Sequence, residues 1–153
     1  GGIRVPLIIK WPGVVKPGTT SKEPVTSVDY LPTIAEAAGI SLPKDREIDG
    51  LSLVTHLRSN AGESLKRDAI YWHFPHYRHA PGPYSIIRKG PWKLIKFYEG
   101  KRELFNLADD LAEKKNLADK MPEQVKSLDT QLMEHLKSIG AKIPKPNPEY
   151  RGK

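Results

Sequence analysis

The sequence predicts an α/β remnant, incomplete by itself, followed by an α+β module in which a C-terminal antiparallel sheet of about four strands is packed by a long C-terminal helix. Three observations predict it. Six of the seven residues 3–9, IRVPLII, are apolar or proline without alternation, the pattern of a strand covered on both faces in a parallel sheet. Four short strand-like runs lie between residues 69 and 107, the last three joined by tight glycine-bearing turns. Residues 122–139 then set Val125, Leu128, Leu132, Leu136 and Ile139 along one helical stripe.

The first run ends in the turn signal Lys10-Trp11-Pro12-Gly13. A parallel strand needs neighbours, and nothing upstream supplies them, so the chain is expected to be the back part of a larger one. Arg4 interrupts the run and, if buried, needs an acceptor, because an unpaired buried charge costs several kcal/mol. Lys16-Pro17-Gly18-Thr19-Thr20 reads as a loop. Asp29 is placed to cap a helix over residues 30–38, with Pro32 in its first turn and Gly39 as its stop. Leu31, Ile34, Ala35 and Ala38 share one face of that helix. After a connector, Asp49-Gly50 turns into a short helix over 52–57 with Leu53, Val54 and Leu57 inward.

A loop at Ser59, Asn60, Ala61 and Gly62 marks a soft boundary, dividing the chain into residues 1–60, 61–141 and a tail, 142–153. Strands are expected over 69–73, 84–88, 92–98 and 103–107. Lys89-Gly90-Pro91 and Glu99-Gly100-Lys101 make the last three a meander. Trp92, Leu94 and Ile95 do not alternate cleanly with Lys93 and Lys96, so the pattern leaves the buried face of the third strand open. Pro122 and Glu123 suit the start of the last helix and Gly140 its end. The tail, proline-rich with alternating charge, reads as an extended arm.

Composition narrows the chemistry. The 153 residues contain no cysteine, which excludes disulfides, a thiolate zinc site and a cysteine nucleophile. No apolar run approaches the roughly 18 residues of a membrane span. The net charge of +7 is concentrated in residues 61–100, with seven basic groups against three acidic, a bias that favours anionic ligands if it is not simply a solvated surface. Nucleic acid is not the expected partner: the chain has no helix-turn-helix with basic recognition residues, no zinc finger and no RNA-recognition aromatic pair.

Six blocks in order, GGIRVPLIIKWPG, DYLPTIAEAAG, DGLSL, YWHFPHY, IIRKGPWKLI and ELFNL followed by Glu113 and Asn116-Leu117-Ala118, resemble the C-terminal portion of the type I sulfatases, the arylsulfatase family of the alkaline-phosphatase-like superfamily. The resemblance covers roughly residues 1–140 and departs at Leu111, where the family usually has proline. It implies sulfuric ester hydrolysis, by an intact enzyme that uses a formylglycine nucleophile and a calcium ion. Both would belong to a missing N-terminal catalytic portion, so the resemblance assigns this chain no catalytic residue and no metal ligand. Framework, and a share of the wall of the substrate pocket, remain as its contribution. The implied substrate is a sulfated small molecule or carbohydrate. Members are commonly exported.

The densest chemical cluster is YWHFPHYRH, with His73, His76 and His79 at three-residue intervals. By analogy with the family it approaches the mouth of the catalytic pocket, and His73 and His76 are expected to contact the sugar or aryl part of the substrate. Imidazoles hydrogen-bonded among strands and a proline turn are the structural alternative. A three-histidine zinc site is the third reading, opposed by the opposite facing of i and i+3 on a strand. For Arg4 a structural ion pair ranks ahead of sulfate binding. Arg88, Lys89, Lys93 and Lys96 are candidates for a basic face, or for the ordinary lysines of a solvated edge. Asp109, Asp110 and Glu113 read as a charged turn rather than a cation site. The alternative function is a non-catalytic basic module binding a polyanion, either sulfated polysaccharide or nucleic acid. The apolar faces of residues 1 to about 60 predict loose packing, self-association or cover by a second chain, while residues 65–140 can form an autonomous module.

Overall fold

The computed structural model describes residues 3–77, 82–145 and 149. The chain divides into two compact units, one ending at Arg67 and one beginning at Asp68.

In the first unit, residues 4–10 form no ladder with any described residue. The parallel neighbours expected for the apolar run are not found among the described residues of this unit, and Val5, Leu7, Ile8 and Ile9 are exposed, Ile8 to 91%. Arg4 is exposed as well, so it meets no burial cost. A 3-10 turn, Ser27–Asp29, leads into α1, Tyr30–Ala37. A single short turn, α2, spans Val54–Arg58. Leu53 and Val54 are buried as the pattern requires, and Leu57 is half-buried.

The apolar stripe expected on α1 is not the buried one. Pro32 and Ala35 are buried, whereas Leu31 and Ile34 are 55% and 65% exposed, and Ala38 is exposed too. The reason is polar. The Thr33 hydroxyl donates to the Asp29 carbonyl at 2.6 Å and accepts the Leu53 N–H at 2.9 Å, which turns the Asp29–Thr33 side of the helix toward the segment entering α2.

The second unit is a four-stranded antiparallel sheet in the order β1-β2-β3-β4, from Ile70–Phe74, Tyr84–Lys89, Trp92–Phe97 and Arg102–Asn106. It is followed by α3, Pro122–Ser138. Register orders one sheet face into rows. Tyr71, Ile87, Leu94 and Leu104 lie opposite one another across the four strands. Ile87, Leu94 and Leu104 of that row are buried with Leu128, Leu132 and Leu136 of α3 as the core. Val125 packs on its margin, whereas Ile139, expected in the stripe, is 60% exposed, because the helix has already ended at Ser138. Lys93 and Ile95 point away from α3, and Trp92, Leu94 and Lys96 toward it, which settles the facing of the third strand. The outer edge of β4 is covered. Leu117 N–H bonds the Leu104 carbonyl at 2.8 Å, and the Asn116 side-chain oxygen accepts the Leu104 N–H at 3.0 Å, so the edge presents fewer free groups to another chain.

Candidate functional site

The row next to the apolar one is polar in all four strands: His73 faces Ser85, Ser85 faces Lys96, and Lys96 faces Arg102. Tyr98 follows one step beyond Lys96. His73, Ser85, Lys96 and Arg102 share the α3 side of the sheet, where His73 and Ser85 meet Tyr98 while Lys96 and Arg102 meet Asp129. The fully buried Ser85 hydroxyl lies 2.7 Å from His73 Nδ1 and 2.7 Å from the Tyr98 hydroxyl. His73 Nε2 lies 3.0 Å from the Lys142 carbonyl oxygen.

A carbonyl only accepts, so Nε2 carries the proton. In the neutral ring Nδ1 is then an acceptor. Ser85 donates to it and in turn accepts from Tyr98. Burial pushes the Tyr98 phenol up, and Asp129 adds to this against the opposing effects of Ser85 and Arg102, so it is a neutral donor at physiological pH. Asp129, from α3, accepts from Lys96 at 2.7 and 2.8 Å and from Arg102 at 3.4 Å.

His76 is placed differently. It follows the end of β1, is exposed, and stands edge-on to Phe74 with ring centroids 5.4 Å apart. Phe74 continues into Tyr84 at 5.6 Å and Tyr84 into Phe97 at 6.1 Å, an aromatic series on the sheet face away from α3. His79 lies outside the described residues.

The basic residues do not form one face. Lys89 pairs with Asp68 at 2.9 Å and Lys96 with Asp129, both on the helix side. Lys93 is buried on the other side, 2.6 Å from Glu113, and Arg88 donates to the Gly90 carbonyl. In the acidic turn, Asp110 accepts the Lys115 N–H at 2.8 Å and Asp109 accepts from the Asn106 amide at 2.7 Å. Among the described residues no group of three or more His, Asp or Glu side chains is arranged to hold a metal ion, and none of the helices is long and apolar enough to cross a membrane.

Two polar centres of the first unit carry no signal in local spacing. Asp29, assigned by its position to cap α1, makes no side-chain cap there. Its buried carboxylate instead takes the Arg67 guanidinium fork, the Thr26 N–H at 2.8 Å and the Leu51 N–H at 2.9 Å. Burial raises its pKa, but Arg67 and the two amides outweigh this and hold it below the usual value. His56, also buried, accepts from the Ser21 hydroxyl at 2.8 Å and donates through Nδ1 to the Glu63 carbonyl, tying together segments 35 positions apart. Long-range polar pairing of this kind becomes visible only once the chain is folded.

Comparison with known proteins extends these observations to the chain as a whole. Residues 1–142 match the family described as N-sulphoglucosamine sulphohydrolase, C-terminal. A sulfatase of Formosa agariphila is 39% identical over 134 residues, covering 81% of this chain and 24% of the relative. Rat steryl-sulfatase is 47% identical over 64 residues, 42% of this chain and 11% of that protein. A structure solved with its substrate D-glucosamine-2-N,6-O-disulfate superposes with a TM-score of 0.70 at 31% identity, over 85% of this chain and 27% of its own. The chain thus spans about a quarter or less of the length of these relatives.

Proposed function

Because the chain belongs to the sulfatase family, of which it matches the C-terminal domain, we propose that it is the C-terminal part of an enzyme hydrolysing aryl or carbohydrate sulfate esters, and is inactive by itself. The observation that carries this is the match along most of the chain to only a quarter of the Formosa relative. The larger remainder of such an enzyme is the partner we assign to the exposed apolar residues of the first unit. Among the described residues no group of three or more His, Asp or Glu side chains is arranged to hold the calcium ion that the resemblance implies, and Asp29, Glu113 and Asp129 are each committed to a cation of the protein itself. We therefore assign calcium and the formylglycine to the remainder, and derive no chemical step from this chain.

What it supplies is framework and one stretch of pocket wall. His76, exposed beside Phe74, is the residue proposed to touch substrate, donating or accepting a hydrogen bond at a sugar or aryl-linked oxygen. His73, with both ring nitrogens bonded, holds the strand from which His76 projects. A carbohydrate substrate is favoured by the match to the family described as N-sulphoglucosamine sulphohydrolase, C-terminal, and by the likeness to the structure solved with D-glucosamine-2-N,6-O-disulfate. The polyanion-binding alternative loses support from the sheet lysines, which are paired with carboxylates.

The test is His76→Ala in the complete enzyme. Losing one hydrogen bond worth ~1 kcal/mol lowers kcat/KM about fivefold. An unchanged kcat/KM on aryl and glucosamine sulfates alike removes His76 from the substrate.

A further inference from the structure

The polar row of the sheet contains a directed chain of hydrogen bonds that runs from one side of the sheet to the segment beyond α3. Lys142 offers a carbonyl that accepts from His73 Nε2 and, together with a hydroxyl donor at Nδ1, selects the Nε2–H tautomer. That leaves Nδ1 as the acceptor for Ser85, 2.7 Å away, and leaves the Ser85 oxygen to accept from Tyr98, also at 2.7 Å. Tyr98 additionally approaches Nδ1 at 3.3 Å and stands edge-on to the imidazole, with centroids 6.0 Å apart and ring planes at 81°.

Neither neighbour has another described hydrogen-bonding assignment for its side chain. Ser85 is fully buried within β2, and a buried hydroxyl is retained at a cost unless it is bonded. Its position is set by register, since Ser85 is the direct cross-strand partner of His73.

From this we infer that Ser85 and Tyr98 are positioning residues: they hold the His73 imidazole in one tautomer and one orientation, so that the end of β1 presents His76 at a fixed place and residue 142 is tethered to the sheet. His73 is thereby the joint between two segments, His76 on one side and the segment following α3 on the other. The effect on substrate rests on the proposed sulfatase function, whereas the state of the ring does not.

The measurement is the ring nitrogen spectrum of His73 by long-range nitrogen–proton NMR in this chain, for the wild type, Ser85→Ala and Tyr98→Phe. In the wild type a single Nε2–H form is expected. Each variant should move the nitrogen shifts toward the averaged values of a free, tautomerising imidazole, and the amides of residues 141–143 should exchange about tenfold faster. Tyr98→Phe, which keeps the ring and removes only the hydroxyl, guards against misfolding in Ser85→Ala. A wild-type ring protonated on Nδ1, or ring spectra unchanged in both variants, overturns the inference. In the complete enzyme Tyr98→Phe should raise KM about threefold or more with kcat within twofold. Shifted ring spectra with KM unmoved limit the pair to stability and overturn the positioning role. Absence of sulfate release from the wild-type enzyme defeats the sulfatase reading instead, and the ring spectra still decide the relay.

Discussion

Asp29 joins two sequence blocks through a bond to Leu51, 22 positions away, and it does so with a carboxylate that has no access to solvent. Removing it leaves Arg67 and two amides without their acceptor. Asp29→Ala should therefore destabilise the first unit by about 3–5 kcal/mol, the range for breaking a buried ion pair from one side, readable as a shifted denaturation midpoint. The pH dependence has a definite sign. Since the folded pKa lies below the usual 3.8, the stabilisation is complete above that value and disappears as pH falls through the depressed one. Denaturation between pH 5 and pH 2, at about half-unit steps, should show this loss in the wild type and a weaker one in Asp29→Asn. Gly50 belongs to the same junction. A Cβ there would sit 2.0 Å from the Val28 carbonyl oxygen, a backbone atom with little room to yield, so Gly50→Ala should cost at least ~1–3 kcal/mol by overpacking in the same assay. The sequence marked Asp29 as a cap and Asp49-Gly50 as a turn. It did not reveal that Arg67 and Leu51 would find Asp29, because such pairing depends on the path of the chain rather than on its neighbours.

At the scale of elements, the strands and the long helix were legible to within a residue or two. Their signals are local: glycine turns, β-branched runs and a repeating leucine stripe. Which face of β3 is buried was not legible, since Lys93 and Lys96 are both lysine yet go to opposite sides and meet Glu113 and Asp129 respectively. Nor was the buried side of α1, where hydrogen bonds from Thr33, and not the largest apolar side chains, set the rotation of the helix. The α3 stripe makes a quantitative statement. Leu132 is fully buried between the helix and the sheet, so Leu132→Ala should destabilise the second unit by about 2–5 kcal/mol. Chemical denaturation followed by tryptophan fluorescence, with Trp92 packed beside the core, measures it. Of the candidate site, the sequence marked the histidine segment, but not the hydrogen-bond partners of His73 or the exposure of His76. Strand register separates them, giving one a buried serine partner and the other an exposed position.

For the molecule as a whole, the apolar residues divide unequally. The second unit has a core of its own, whereas the first leaves Val5, Ile8, Leu31, Ile34 and Ile40 more than half exposed. An apolar surface of that kind in solution favours association. The isolated chain is accordingly expected to self-associate through its first unit, visible as concentration-dependent sedimentation that Ile8→Ser and Ile34→Ser together reduce. A strictly monomeric chain at all concentrations would mean that this surface needs no partner. The same surface, the family match and the quarter-length coverage support the proposal that the chain completes a catalytic body lying outside it. The most direct measurement is sulfate release from an aryl sulfate and from glucosamine 6-sulfate, by the purified chain and by a complete sulfatase carrying it. No release is expected from the chain alone and release is expected from the complete enzyme; sulfate set free by the chain alone would contradict the proposed role.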